Sequence, residues 1–174
     1  DQHQKPYLCI ITSVNPLKIE VQEPINKQSE LSKEVTLFFG LAKNDKIEFV
    51  LQKATELGAK RIVLFQGQRS VVKYTYQDFD RKLSRFNAII KEAAEQCHRE
   101  VLPEVLYRHS IKDIEEELLG DINLFPYELE AGDTTVLNNE LNKKYRKIAV
   151  IIGPEGGFSA EEAEQLVAKK FVPV

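Results

Sequence analysis

Methionine is missing from the sequence altogether, even at position 1. The chain also stops at Val174, inside a short apolar run that begins at Phe171 and has the pattern of a strand. We therefore expect a partial chain that lacks the start and the end of the encoded protein. With 174 residues, it can hold one good-sized domain and a fragment of another.

Cysteine is scarce as well. Cys9 and Cys97 lie far apart, without a Cys-x-x-Cys motif or a nearby group of histidines. This pattern suggests neither a disulfide framework nor a zinc site, and it fits a reducing cytoplasm. A signal peptide and an apolar run of membrane length are missing too. We expect a cytoplasmic protein that uses no metal and contacts no membrane.

The charge is nearly balanced, with a formal net charge of −3. Such a balance gives no global electrostatic argument for binding nucleic acid, and none against a local basic patch. The sequence also lacks a Gly-Lys-Ser/Thr P-loop and a Gly-x-Ser-x-Gly nucleophile elbow. A phosphate-binding hydrolase that uses the helix after Ser159 as an anion site is therefore a weak alternative.

Two short strands are predicted near the amino terminus, from Tyr7 to Ser13 and from Leu17 to Glu23. The pair Asn15-Pro16 forms the turn between them, and a polar connection follows. Because two strands cannot fold alone, we interpret residues 1–33 as the remnant of a small β domain with its linker.

From Val35 onward, apolar runs alternate with helical patterns, which indicates an α/β fold. Val35 to Leu41 is a predicted strand, and Asp45 with Glu48 has the spacing of a capping box for the first helix. A long helix is predicted from Asp78 to His98. Such alternation predicts a mostly parallel sheet with helices on both faces, over residues 34–174.

The most informative segment begins at Ile148, where an apolar strand runs into Gly153-Pro-Glu-Gly-Gly-Phe158. Ser159 and Glu162 then form a predicted capping box that starts a helix. Gly156 and Gly157 permit positive φ angles and close approach to the backbone. Because α/β sheets bind ligands at the carboxyl ends of their strands, we interpret this turn as a binding loop. A plain turn between strand and helix is the alternative.

Three further clusters accompany this turn: Lys53-Ala-Thr-Glu-Leu-Gly58, Gly67-Gln-Arg-Ser70 with Lys73, and Glu92-Ala-Ala-Glu-Gln96 with Arg99. Arg69 and Lys73 follow a predicted strand end and could contact phosphate. In the third cluster, Glu92, Gln96 and Arg99 have the spacing of one helix face. A face of this kind is usually solvated and self-paired.

In series, these motifs resemble the bacterial 16S ribosomal RNA uridine-N3 methyltransferases, the RsmE family, within the SPOUT class of knotted methyltransferases. The resemblance covers Val35 to Val174, and the two strands before it fit the tail of that family's PUA-like β-barrel. It therefore implies two units: residues 1–33 from an RNA-binding PUA-like domain, and residues 34–174 from a SPOUT domain truncated at its carboxyl end.

The family fold implies a trefoil knot in the carboxyl-terminal part of the sheet, a rare exception to the rule that chains do not thread. A third cofactor loop, an Arg-Ile-Leu-Arg type of segment, would follow Val174, so the resemblance leaves open whether the knot is complete in this chain. By the resemblance, S-adenosylmethionine would be bound by Leu124, Phe125, Tyr127, Glu128, Ile152, Gly153, Pro154, Glu155, Gly156 and Gly157. Either Glu128 or Glu155 could favour its positively charged sulfur.

The reaction implied by the resemblance is methylation of N3 of a uridine in the small ribosomal subunit, by a homodimer. The N3 atom is a poor nucleophile until its proton leaves, so the site needs a base and a cation or N–H donors. The weak catalytic candidates are Arg69, Glu95 and Arg99. The predicted RNA-binding residues are Lys43, Lys46, Arg69, Lys73 and Arg99.

Two alternatives remain open at this point. The first is a SPOUT methyltransferase that acts on transfer RNA or on a ribose hydroxyl. The second is a non-catalytic protein that binds RNA or assists ribosome assembly and keeps this fold. The Glu-Ala-Ala-Glu-Gln helix and the strands before Val35 favour the small-subunit enzyme over the first alternative, and the glycines of the turn argue against a dead pocket.

Overall fold

A computed structural model describes residues 7–25, 29–127, 135–141 and 143–174. Strands β1 (Tyr7–Val14) and β2 (Leu17–Pro24) form an antiparallel hairpin, as predicted. Its large apolar side chains, Val14 and Leu17 among them, are exposed on both faces. A two-stranded ribbon cannot cover its own apolar surface, which is why these side chains stay in contact with solvent.

The other elements form an α/β unit. In chain order they are β3 (Glu34–Gly40), α1 (Asn44–Glu56), β4 (Arg61–Phe65), α2 (Tyr76–Gln96), β5 (Glu104–Arg108), β6 (Ile122–Phe125), α3 (Thr135–Leu141), β7 (Lys147–Ile152), α4 (Ala160–Ala168) and β8 (Phe171–Pro173). Two short 3₁₀ turns, Ile111–Asp113 and Glu116–Leu118, lie between β5 and β6. No helix in the described ranges has the length and apolar character needed to cross a membrane.

The six strands of the large sheet lie in the order β5-β4-β3-β7-β6-β8, and every paired neighbour is parallel. The predicted parallel sheet is therefore confirmed. Strands β4 and β5 lie on one side of β3, and the later strands β6, β7 and β8 lie on its other side. The strand order therefore reverses between β3 and β7, and in open α/β sheets such a reversal opens a crevice at the carboxyl ends of the strands.

Helices cover both faces of the sheet, as predicted. On β4, Ile62 and Leu64 pack into the core under α1 and α2. Val63 and Phe65 point to the opposite face, where α4 and the 3₁₀ turns pack. Successive side chains of a strand alternate between faces, so a strand covered on both sides is apolar throughout.

The helix starts correct one prediction and confirm another. Helix α1 begins after Lys43 without any side-chain cap, so the predicted box of Asp45 and Glu48 is wrong. Glu48 instead accepts a hydrogen bond of 2.7 Å from Arg85 of α2. The predicted box of Ser159 and Glu162 is present at the start of α4.

Helix α2 starts at Tyr76, two residues before the predicted start at Asp78. The reason is a capping box in which the Thr75 hydroxyl accepts a hydrogen bond of 3.1 Å from the backbone of Asp78. The cap therefore sits at Thr75, and Asp78 is the third residue of the helix rather than its first.

We predict that Tyr107 makes the fold sensitive to high pH. Burial raises the pKa of Tyr107 to about 12. In the unfolded chain a tyrosine ionises near pH 10, so between pH 10 and 12 the unfolded state loses its proton first and stability falls. In Tyr107→Phe this contribution disappears, at the cost of the hydrogen bond to the Tyr74 carbonyl.

Thermal unfolding of both proteins between pH 9 and 12 measures the difference. Wild type should lose on the order of 2 kcal/mol more than Tyr107→Phe over this range. Equal slopes in the two proteins would contradict the assignment.

Candidate functional site

A groove of about 440 Å³ lies at the carboxyl edge of the sheet, along the turn that follows β7. The turn lines it with Ile152, Gly153, Pro154, Glu155, Gly156, Gly157 and Phe158, together with Arg69, Pro126, Tyr127 and Ala160. A second hollow of about 410 Å³ adjoins it and shares Tyr127 and Ala160. The loops after β4, β6 and β7 thus meet at one place.

Pro154 is held against the ends of two neighbouring strands. A Cβ atom on Gly40, the last residue of β3, would lie 2.4 Å from the Pro154 nitrogen. A Cβ atom on Gly67, just after β4, would lie 3.1 Å from the Pro154 ring. Real Cβ atoms do not approach a backbone atom to 2.4 Å, so the turn can take this position only because Gly40 has no side chain.

The rim of the groove is made of backbone. Gly157 has a φ of +67°, and a Cβ atom added to it would meet nothing within 4 Å. At Gly156, an added Cβ atom would lie 2.9 Å from the Cβ atom of Arg69. The Gly157 N–H donates a hydrogen bond of 2.8 Å to the Pro154 carbonyl, and the Gly156 carbonyl accepts one from Arg69. The missing side chains leave the other peptide groups of the turn accessible to a ligand, which fits a molecule held mainly by main chain.

Glu162 ties the loop after β4 to the start of α4. Glu162 is only 3% exposed. One carboxylate oxygen accepts a hydrogen bond of 2.8 Å from the Gln68 backbone, and the other accepts one of 2.9 Å from the Ser159 backbone. A buried carboxylate must be satisfied in this way. The sequence predicts the contact with Ser159 but not the one with Gln68.

Two cations lie beside the glycine turn. The Arg69 guanidinium donates a hydrogen bond of 3.0 Å to the Gly156 carbonyl. Lys46 forms an ion pair of 3.1 Å with Glu155, and its hydrogen bond holds the pKa of Glu155 below the ordinary value. Lys46 therefore balances the charge of Glu155, which weakens this carboxylate as a partner for a cationic ligand. The other predicted carboxylate, Glu128, lies outside the described residues.

The predicted cofactor residues are largely brought together. All six residues from Ile152 to Gly157 line the groove, and Tyr127 lines both hollows. Phe125 lines the second hollow from the end of β6. Leu124 is buried within β6 and lines neither. Sequence reasoning missed Gly40, and it listed Gly67 only as the first residue of a cluster, without its contact to Pro154. Each glycine stands at or just beyond a strand end, where a glycine signals close approach.

The predicted RNA-binding residues divide into two groups. Lys43, Lys46, Arg69 and Lys73 are exposed and follow the carboxyl ends of β3 and β4, on the same edge as the groove. Arg99 lies elsewhere: its side chain is 4% exposed and binds Glu30 at 2.6 Å. A guanidinium buried in this way cannot reach RNA phosphate, so the prediction for Arg99 is not supported.

Arg99 and Glu95 also lie far from the groove as catalytic candidates. The Arg99 guanidinium donates a hydrogen bond of 2.8 Å to the carbonyl of Ala59. Ala59 lies just before the start of β4, so Arg99 is at the amino edge of the sheet. Glu95 sits in the last turn of α2 beside it, 3.8 Å from Lys91. Within one chain neither reaches the carboxyl edge, and neither is kept as a catalytic candidate. Arg69 remains.

A parallel α/β sheet with a glycine-rimmed groove at its carboxyl edge defines a class of proteins that bind nucleotide-like ligands there. Within the described ranges, no three His, Cys, Asp or Glu side chains gather where a metal could bind. Residues 29–174 match the model of the RNA methyltransferase domain family, and the chain belongs to this family.

Individual relatives agree with this assignment. The chain is 34% identical over 165 residues to ribosomal RNA small subunit methyltransferase E of Bacillus subtilis, covering 91% of this chain and 64% of that protein. A solved structure from Legionella pneumophila with bound S-adenosylmethionine has 25% identity and a TM-score of 0.76, over 90% of this chain and 63% of its own. The resemblance inferred from the motifs is confirmed.

The fold is also that of ribosomal RNA small subunit methyltransferase E from Neisseria gonorrhoeae, with 24% identity and a TM-score of 0.75. This likeness covers 91% of the chain and 63% of the Neisseria chain. In each of these three comparisons, the chain spans just under two thirds of the length of the other protein.

We predict that Gly40→Ala destabilises the protein through the glycine turn. The added methyl group would overlap the Pro154 backbone, so β3 or the turn must shift. Overpacking of this kind costs about 1–3 kcal/mol. Denaturant unfolding measures the loss, and Gly67→Ala is the matched control, because its methyl group would meet the Pro154 ring only at 3.1 Å. A Gly40→Ala protein no less stable than Gly67→Ala would refute this account.

Proposed function

We propose that the protein is an S-adenosylmethionine-dependent methyltransferase that modifies N3 of a uridine in the 16S RNA of the small ribosomal subunit. The observation that carries this proposal is the backbone-rimmed groove at Gly156 and Gly157, in a member of the RNA methyltransferase domain family. The name of the Bacillus relative, a ribosomal RNA small subunit methyltransferase, supports the class of substrate.

The groove has the properties that the cofactor requires. Peptide groups between Ile152 and Gly157 would bind its polar atoms, while Tyr127 and Phe158 offer apolar contact for the adenine. When bound, S-adenosylmethionine supplies a methyl group on a positively charged sulfur. The Legionella neighbour binds this molecule, which supports the assignment.

Arg69 is the residue that we propose to act on the uridine side. When N3 of the uridine gives up its proton to a general base, negative charge remains on the uracil ring and spreads onto the two flanking oxygens. A cation preorganised at the rim would stabilise that charge, and the hydrogen bond to the Gly156 carbonyl holds Arg69 there. Methyl transfer then depends on alignment rather than on a covalent intermediate with the protein.

Lys43 and Lys73 are proposed to bind phosphate on the same edge of the sheet. Both are exposed and follow the carboxyl ends of β3 and β4. Phosphate contacts of this kind orient RNA without reading its sequence, and the target base must be splayed out of its stack to enter the groove.

Residues 1–33 are proposed to belong to a PUA-like RNA-binding domain, and residues 34–174 to a SPOUT domain with a trefoil knot. The hairpin of β1 and β2 exposes apolar side chains on both faces, and a larger β-barrel would cover them. The knot rests on the family resemblance alone. The cytoplasm is the compartment in which such an enzyme meets ribosomal RNA.

We also propose a homodimer that uses the exposed side of α4. Val167 on this helix is 56% exposed, beside the hollow lined by Phe125, Ala163 and Pro173. An apolar patch next to the groove is where a second subunit could complete the site.

The activity test compares substrates. The full-length protein is incubated with labelled S-adenosylmethionine and either small ribosomal subunits that lack the modification or transfer RNA. Label should enter the small subunit only, and nuclease digestion followed by mass spectrometry should yield 3-methyluridine. Label on transfer RNA or on a ribose hydroxyl would replace the proposed substrate. Failure to bind the cofactor in calorimetry would favour a non-catalytic RNA-binding protein.

We predict that Gly157→Ala weakens binding of S-adenosylmethionine several-fold. Its methyl group would enter open space at the groove, and alanine at a φ of +67° adds strain of about 1 kcal/mol. Gly58→Ala is the control, because Gly58 also has a positive φ, of +93°, but follows Leu57, the C-cap of α1, at the amino edge, where its methyl group would lie 2.7 Å from Leu31. Calorimetry should show weaker binding in Gly157→Ala only. Equal affinities in both variants would rule out this rim as the cofactor site.

A further inference from the structure

A pair of exposed aromatic rings lies on the carboxyl edge of the sheet, beyond the end of β5. Tyr76, the first residue of α2, is 55% exposed, and His109 follows the last residue of β5. The planes of the two rings differ by 25°, and their centroids are 6.2 Å apart. We call Tyr76 and His109 the aromatic pair.

The aromatic pair is held in place from behind by Tyr107, which is buried. The ring of Tyr76 meets that of Tyr107 edge-on, with centroids 5.3 Å apart. The Tyr107 hydroxyl donates a hydrogen bond of 2.7 Å to the Tyr74 carbonyl, so its oxygen accepts the one from His109 Nδ1 at 3.2 Å. Both rings are therefore oriented before any ligand binds, which lowers the entropic cost of binding.

Two lysines lie near the aromatic pair. Lys73 is exposed two residues before the Thr75 cap, and Lys82 lies over the Tyr74 ring at 5.4 Å. The neighbouring acids are hydrogen-bonded but keep their charge: Asp78 accepts a hydrogen bond of 2.7 Å from Thr75 and lies 3.6 Å from Arg81, and Asp113 accepts a hydrogen bond of 2.9 Å from Ser110. Asp80 is a further exposed acid on the next turn, so the charges here are close to balanced and the exposed Lys73 is the group placed to contact a phosphate.

A continuous path connects the aromatic pair to the groove. Arg69 stands at the groove, and the same loop continues through Lys73 to Tyr76. In the sheet, β5 is three positions away from β7, a distance of about 14 Å at the usual spacing between strands. A few nucleotides of single-stranded RNA can span this distance.

We propose that the aromatic pair is a stacking platform for an unpaired RNA base that flanks the methylated nucleotide. The inference rests on the proposed function, since it needs an RNA substrate. Single-stranded RNA is bound by aromatic side chains that stack on bases together with cations that follow the backbone. Both components are present here, on the same edge as Arg69.

Binding and methylation measurements test the platform. The affinity of the full-length protein for a fluorescein-labelled, single-stranded RNA copied from the small-subunit target is measured by anisotropy. Loss of one stacked base costs about 1–3 kcal/mol, so Tyr76→Ala should weaken binding about tenfold. Tyr76→Phe keeps the ring and should bind nearly as wild type. The affinity for S-adenosylmethionine should stay unchanged in both variants.

Phe49→Ala is the matched control, because Phe49 is 59% exposed and lies between α1 and α2, away from the aromatic pair. Its loss should leave RNA binding unchanged. In the full-length protein, Tyr76→Trp and Phe49→Trp place a fluorescent reporter at each position, and the emission of wild type is subtracted from that of each variant. RNA should quench the emission of tryptophan at position 76 and not at position 49.

The outcomes separate the two proposals. If wild type methylates small subunits and binds the RNA, while Tyr76→Ala binds as tightly and position 76 is not quenched, the platform is wrong and the proposed function stands. Equal losses in Tyr76→Ala and Phe49→Ala would also refute the platform. If wild type binds S-adenosylmethionine but no RNA, the RNA substrate fails and the platform fails with it.

Discussion

The site depends on a close approach between three strand ends. Pro154 occupies the space in which a side chain of Gly40 would lie, and its ring packs over Gly67. The turn after β7 is thereby supported by the ends of β3 and β4, and its next residues are free to line a groove. The backbone of this turn is held in place by the strand ends beneath it, although Gly156 and Gly157 have no side chains. A backbone held in this way suits a ligand that is bound by peptide groups.

The loop after β4 becomes part of the same unit. The buried carboxylate of Glu162 joins the Gln68 backbone to the start of α4, and Arg69 reaches back to the Gly156 carbonyl. These contacts link the proposed cation to the proposed cofactor groove. This loop continues to Lys73 and Tyr76, so the groups proposed to contact RNA and the groove are held by the same loop.

The two edges of the sheet differ in how far their charged side chains are paired with one another. At the amino edge, ionic groups pair with one another, as in the contact of Arg99 with Glu30 and that of Lys60 with Glu34 at 2.7 Å. At the carboxyl edge, Lys46 pairs with Glu155 at 3.1 Å, but Lys43 and Lys73 are exposed. Ion pairs of the first kind hold segments together, whereas exposed cations remain available to a polyanion.

Local order was readable from the sequence: the apolar run from Val35 to Leu41, the helical pattern of α2 and the glycines after Ile152 each predicted the right element. Periodicity and backbone freedom are properties of neighbouring residues, so they can be read without the fold. Tertiary structure alone decided that Gly40 meets Pro154, that Lys46 neutralises Glu155 and that Arg99 lies away from the groove. These contacts follow from the strand order, in which β7 inserts beside β3. Pairing between segments about a hundred residues apart leaves no periodic signal in the chain.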